Sequence, residues 1–177
     1  MKLSGVRPGT RALVPGIGGP GRLGLQYARI LGAETIAVDV ADERLALVRE
    51  LGADHAIDAR VQDVAEETHR LGGVDATLSP AASNASFSAA YGAPRRDGTL
   101  VLVALPAEGK LKLPVFDTVL NGTKIVATRE EPPEVFQLHR LGRTRVVRES
   151  RGLEDINASI DEVLKGKVSG RLVFGIR

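Results

Sequence analysis

The sequence predicts an α/β fold, a doubly wound six-stranded parallel sheet with helices on both faces. Three observations carry this prediction. Short apolar runs alternate with amphipathic helical stretches from residue 11 to about residue 128. A dense glycine loop, Gly16-Ile17-Gly18-Gly19-Pro20-Gly21, joins the first apolar run to the first helical one. The clearest strand, Thr99 to Leu105 (TLVLVAL), is apolar almost throughout, as a sheet covered on both faces requires.

Arg11-Ala12-Leu13-Val14 is the first strand and stops at Pro15-Gly16. Beyond the glycine loop, Leu23, Tyr27, Ile30 and Leu31 recur at spacings of three and four, a helix over 21–31 that ends at Gly32. Thr35-Ile36-Ala37-Val38-Asp39 is a buried strand with an acid at its end, and DERLALVREL (42–51) is a helix capped by Gly52. Residues 55–57 form a short strand, 62–71 a polar amphipathic helix and 74–78 a further strand. Residues 83–95 are a weak, alanine-rich helix broken near Gly92 and Pro94; Lys124-Ile125-Val126-Ala127 is the sixth strand. The expected strand order is 3-2-1-4-5-6. From about residue 129 the alternation loosens into helix 133–141, strand 144–148, helix 153–165 and strand 171–174. The chain therefore reads as a single domain over 1–177, with a core at about 10–128 and a C-terminal helix–strand appendage at about 129–177.

Composition narrows the function. The chain has 177 residues, 43% hydrophobic and 26% charged, enough for a sizeable core. A formal charge of +2, with 3% aromatics and no tryptophan, argues against a nucleic-acid partner. The absence of cysteine excludes disulfides, cysteine-based zinc sites and thiol nucleophiles, and His55, His69 and His139 have no metal-ligand spacing. No apolar run approaches the ~18 residues of a membrane span, and MKLSGVRPGTR carries no signal-peptide core, so the cytoplasm is the default expectation. His55 reads as structural. The acids Asp58, Asp63, Glu66 and Glu67, and the arginines between Arg140 and Arg151, read as solvated faces.

The glycine loop decides the reading. It is a G-x-G-x-x-G that follows a strand, opens a helix and is followed by an acid, Asp39, 21 residues after Gly18. Gly16 permits the tight turn, Gly18 lets a pyrophosphate approach the backbone, and Gly21 allows close helix packing, with Gly24 helping one turn later. The free amides and positive end of helix 21–31 face the phosphates. Asp39 can accept the adenosine ribose hydroxyls and would repel a 2′-phosphate, so NAD is expected over NADP. The residues expected to touch the cofactor here are Gly16, Ile17, Gly18, Gly19, Pro20, Gly21, Asp39 and Val40. Arg44 either reaches the adenine edge or is a surface side chain.

The segments GIGGPGRLGLQYARILGAETIAVD, DERLALVRELGADHAID, GTLVLVALP and LEDINASIDEVLKGKVSGRLV occur in order over nearly the whole chain. Together they resemble the coenzyme half of zinc-dependent, medium-chain alcohol dehydrogenases. The resemblance implies an NAD(H)-binding domain of an alcohol dehydrogenase-like oxidoreductase. It places residues 2–9 where that family's linking helix leads into the first strand. It also implies that the zinc-bearing catalytic domain is not represented, so no zinc is expected and activity is not expected from this chain alone. By the same resemblance, Ser79, Pro80, Ala104 and Leu105 lie near the ribose and nicotinamide, and a homo-oligomer or a separate catalytic chain is implied as partner. An exposed apolar patch is then expected at Leu172, Val173 and Phe174. The chain departs from the family at Pro20, which has no N–H to give to a phosphate, at Ser79-Pro80-Ala81, at Ala104, and in a short stretch before Pro132-Pro133. The alternatives are a stand-alone NAD(H)-binding subunit that works with a partner, and a small zinc-free oxidoreductase using a cleft beside Pro80 and Leu105.

Overall fold

A computed structural model describes residues 1–79, 84–104, 112–127 and 132–175 of the chain. They fall into two compact units, Met1–Thr144 and Arg145–Arg177.

In the first unit the elements alternate as β1 (Arg11–Pro15), α1 (Gly19–Ile30), β2 (Glu34–Asp39), α2 (Asp42–Glu50), β3 (His55–Asp58), α3 (Val64–Arg70), β4 (Val74–Ser79), α4 (Asn84–Gly92), β5 (Pro94–Leu102), α5 (Val115–Asn121), β6 (Lys124–Ala127) and α6 (Pro132–Arg140). The strands form one sheet in the order β3-β2-β1-β4-β5-β6, with every neighbouring pair parallel. This is the doubly wound Rossmann-type topology that the alternation predicts.

Strand side chains alternate between two apolar layers, as a period of two dictates. Leu13, Ile36, Val38 and Val74 pack with Val64 of α3 and Ala89 of α4. Val14, Ala37, Leu78 and Val101 pack on the opposite side with Leu25 of α1 and Val48 of α2. Leu13, Val14, Ile36 and Val101 are fully buried, and each such side chain stabilises the fold by about 1.5–3 kcal/mol.

The N-terminal edge of the sheet is tied by polar pairs. Glu34 takes the Arg11 guanidinium at 2.8 Å and His55 Nε2 at 2.7 Å. Asp75 accepts the Arg11 amide at 2.8 Å and is bonded by Arg95. Asp54 accepts both the amide and the hydroxyl of Thr35 at 2.8 Å. His55 is thus structural, as its place in the sequence implies.

Several elements differ from expectation. Helix α1 starts two residues before residue 21, because Gly18 already serves as its N-cap. Helix α4 ends at Gly92, and β5 begins at Pro94 rather than Thr99. Between these points the pairing with β4 jumps from Val74↔Pro94 to Ala76↔Thr99, and Asp97 takes a positive φ of 62°. Helix α5 has no counterpart in the sequence reading. Its signals are the apolar spacing of Val115, Phe116, Val119 and Leu120 and the left-handed cap at Gly122.

The second unit contains β7 (Arg148–Gly152), a 3₁₀ turn, α7 (Ile156–Leu164) and β8 (Arg171–Gly175). The two strands pair in parallel, Arg148↔Arg171 through Gly152↔Gly175. Strand β7 lies four residues beyond the start expected at 144. Its RESRG sequence has no apolar pattern to announce it, and the pairing with β8 selects it. Arg151, read as part of a solvated run, bonds Glu149 and Glu162, each at 2.8 Å.

Candidate functional site

The residues expected at the site lie where the parallel strands end. Pro15 closes β1 level with Val38 of β2. The β1–β4 register, Leu13 beside Thr77, carries Ser79 to the same level. Strand β2 flanks β1 on one side and β4 on the other, so the order reverses here, and α1 and α4 pack on opposite faces. Such a reversal is where doubly wound sheets open a crevice for ligands.

The loop itself is built by glycine. Gly16 has φ 92°, a left-handed conformation that glycine adopts without strain, while its amide donates to Val38 O at 2.7 Å. Gly18 caps α1, and the first rung of the helix runs from the Arg22 amide to Gly18 O at 3.1 Å. The Gly19 and Gly21 amides therefore precede the ladder, and Pro20 between them has none. A Cβ on Gly18 would point into open space, with nothing within 4 Å. A pyrophosphate-sized group thus has room against the backbone. Gly24 differs: a Cβ there would make only ordinary contact, 3.7 Å from Leu78 Cδ1, so packing does not require glycine at that turn.

Ile17 faces inward. Its side chain is wholly buried among Val14, Leu25 and Val48, and its amide donates to Asp39 Oδ2 at 2.7 Å. Asp39 is 6% exposed; its Oδ1 accepts the Val40 and Ala41 amides at 2.8 and 3.1 Å. Val40 is exposed, and Arg44 Nη1 lies 3.6 Å from Asp39 Oδ1. The Arg22 side chain is buried, with Nε donating to Gly18 O at 3.3 Å. Ser79 is buried at the end of β4, and its carbonyl accepts the Val103 and Ala104 amides at 3.1 and 3.4 Å, which brings Ser79 and Ala104 together. Pro80 and Leu105 lie outside the described residues.

Sequence reasoning missed one cluster beside the site. Arg60 binds Asp58 through Nε at 2.9 and 3.1 Å and also bonds Asp42, the first residue of α2. Its guanidinium holds the Asp58 carboxyl at about 2. Asp58 is thus an ion-pair partner rather than one of a loose solvated set, and the Asp-Ala-Arg spacing at the end of β3 is the signal that could have found it. Among the described residues no three His, Asp or Glu side chains gather to hold a metal, and the chain has no cysteine. The described residues do not fit a zinc centre.

Comparison with known proteins agrees with this architecture. The zinc-binding dehydrogenase family model matches residues 19–140. An alcohol dehydrogenase of Geobacillus stearothermophilus is 41% identical over 181 residues, covering 99% of this chain and 53% of that protein. The alcohol dehydrogenase of the archaeon Aeropyrum pernix superposes with a TM-score of 0.88 at 28% identity, over 98% of this chain and 52% of its own. An alcohol dehydrogenase zinc-binding domain protein from Burkholderia ambifaria gives 0.89 at 31% identity, over 99% of this chain and 50% of its own. The chain spans about half the length of the curated relatives it matches. With its Rossmann-type sheet and its glycine loop at the strand ends, the chain belongs to the zinc-binding dehydrogenase family, as an alcohol dehydrogenase-like domain.

Proposed function

We propose that this chain binds NAD(H) at the C-terminal edge of its sheet, as the coenzyme half of an alcohol dehydrogenase-like oxidoreductase. The observation that carries the reading is the open face of Gly18 at the start of α1, with the Asp39 carboxylate at the end of the adjacent strand. The loop holds the pyrophosphate through the Gly19 and Gly21 amides and the dipole of α1. Pro20 costs that cradle one charge-assisted hydrogen bond, worth about 1.5–3 kcal/mol, or roughly ten- to hundredfold in affinity. Asp39 has acceptor capacity left for a ribose hydroxyl on Oδ2, which takes the Ile17 amide, while Oδ1 takes the Val40 and Ala41 amides and faces Arg44. Ser79 and Ala104 border the ribose and nicotinamide. The bound nicotinamide supplies hydride transfer; this chain's residues hold and orient it.

Preference for NAD over NADP rests on charge. A 2′-phosphate would meet the buried Asp39 carboxylate, and the nearby arginines are already engaged by acids, Arg44 with Asp39 and Arg60 with Asp42 and Asp58. Calorimetric titration with NADH and NADPH tests the reading. The expected result is NADH binding at micromolar to sub-millimolar concentration, with NADPH at least tenfold weaker. No NADH binding at millimolar cofactor, or equal binding of both, overturns it.

A second element of the reading concerns partners. The helical stripe Ile156, Ile160, Val163 and Leu164 is exposed on α7, and Val173 is exposed on β8. These side chains support packing against another polypeptide, either a separate catalytic chain or a second copy. A cytoplasmic location belongs to the same reading, and cell fractionation checks it. No described helix is long and apolar enough to cross a membrane.

A further inference from the structure

We propose that Asp39 is a positioning residue that braces the glycine loop before any ligand arrives. The phosphate cradle and the ribose acceptor would then be one coupled unit rather than two independent contacts. This rests on the dinucleotide reading only for which ligand feels the coupling; the brace itself is visible without one.

The loop has an unusual need for such a brace. Four glycines within six residues give it more backbone freedom than any other segment of this length in the chain. The fixed point inside it is Ile17, and that residue is held twice. Its side chain is locked in the core, and its amide donates to Asp39 Oδ2 at 2.7 Å in a fully buried bond. The turn at Gly16 aims that amide: Gly16 keeps its own amide on Val38 O, and its positive φ swings the next one toward the end of β2. Asp39 is itself fixed from the other side. Oδ1 takes the Val40 and Ala41 amides, and the Asp39 carbonyl accepts the Ala59 amide at 3.1 Å. One carboxylate thus ties the loop after β1 to the turn after β2. A cradle ordered in advance loses less entropy when it binds. Removing the carboxylate therefore weakens even a ligand that has no ribose to offer.

Hydrogen exchange of individual amides, followed by NMR on the ligand-free chain, reads the brace directly. Asp39→Ala is expected to speed Ile17 exchange roughly ten- to hundredfold, the equivalent of one lost bond to a charged acceptor. The core amides of Leu13 and Val14 should be unchanged. Asp39→Asn keeps a side-chain oxygen and should restore part of the protection. The ligand arm uses inorganic pyrophosphate, which has no ribose, alongside NADH. Both should bind Asp39→Ala several-fold more weakly than wild type. Unchanged Ile17 exchange in a folded Asp39→Ala chain overturns the brace, as does unaltered pyrophosphate affinity beside weakened NADH. If Asp39→Ala does not fold, the same comparison is made with Asp39→Leu, which keeps the side-chain volume but has no acceptor, and wild-type protection of Ile17 in that folded variant overturns it equally. Failure of wild type to bind either ligand counts against the dinucleotide reading and leaves the exchange result to decide the brace.

Discussion

The units Met1–Thr144 and Arg145–Arg177 are built from the same kinds of element, yet they differ in what they bury. All the fully or nearly buried apolar side chains described, from Ala12 to Val101, belong to the first. In the second, the one buried side chain among the described residues is the hydroxyl-bearing Ser159. Helices α1 and α7 show why. Each has apolar residues at helical spacing, but Leu25 and Ala28 of α1 meet a six-stranded sheet and are fully buried. Ile160 and Leu164 of α7 are 51% and 79% exposed, beside a sheet of only two strands. A stripe records which face of a helix is apolar; it is buried only where an opposing layer covers it. A unit below ~40 residues with two strands rarely supplies that layer alone.

The largest expected effect tests the first half of the contrast. Leu13→Ala removes a wholly buried side chain from the middle of β1 and should destabilise the chain by about 2–5 kcal/mol. Denaturant midpoints followed by far-UV circular dichroism will show it, since the chain has no tryptophan. A loss below about 1 kcal/mol would mean that the first unit is not packed as described.

Charge sharpens the picture next. The Arg11 hydrogen bond, joined by His55, holds the Glu34 carboxyl below its ordinary range. Burial pushes Asp54 up, but its bonds from Thr35 outweigh that and lower it. Arg60 brings Asp58 to about 2. These carboxylates are more acidic folded than unfolded, so the stability they add is complete above the ordinary carboxylate pKa of about 4. It is lost as pH falls toward the folded values. The thermal midpoint should stay level from pH 7 to 5 and fall steadily from about pH 4 to 2, and Arg60→Gln should make the fall shallower. A midpoint at pH 3 equal to that at pH 6 would show that the pairs contribute nothing.

The smallest expected effect probes the second unit. Ile160→Ser on the exposed stripe should change stability by no more than about 0.5 kcal/mol while reducing hydrophobic-dye binding and any concentration-dependent association in the ultracentrifuge. A destabilisation above about 2 kcal/mol would place Ile160 in a core and erase the contrast.

Where apolar period and glycine punctuation agree, the sequence was legible. The first four strands, the first three helices, the sheet order and the loop-plus-acid motif all follow from it. Strand β7 did not, because RESRG is polar and only its neighbour β8 makes it a strand. Helix α5 is not among the expected elements, although its apolar spacing and its Gly122 cap are both present in the sequence. Arg22 is buried, with its Nε on Gly18 O, although a charged residue in the first turn of a helix gives no sign of burial. The bond between Ile17 and Asp39 joins residues 22 apart and involves a backbone amide, which no side-chain pattern encodes.

The sequence alone determined the class of fold and the edge of the sheet that carries the glycine loop. Period, turn chemistry and spacing are local properties, and a parallel sheet leaves few ways to combine them. Only the tertiary structure decided what each side chain does there: that Ile17 is an anchor, that Asp39 holds the loop, and that Arg60 is engaged by two acids. It also decided which apolar stripes are covered. Those outcomes depend on what lies opposite each residue across strands and layers, and that neighbour is set by the fold rather than by position along the chain.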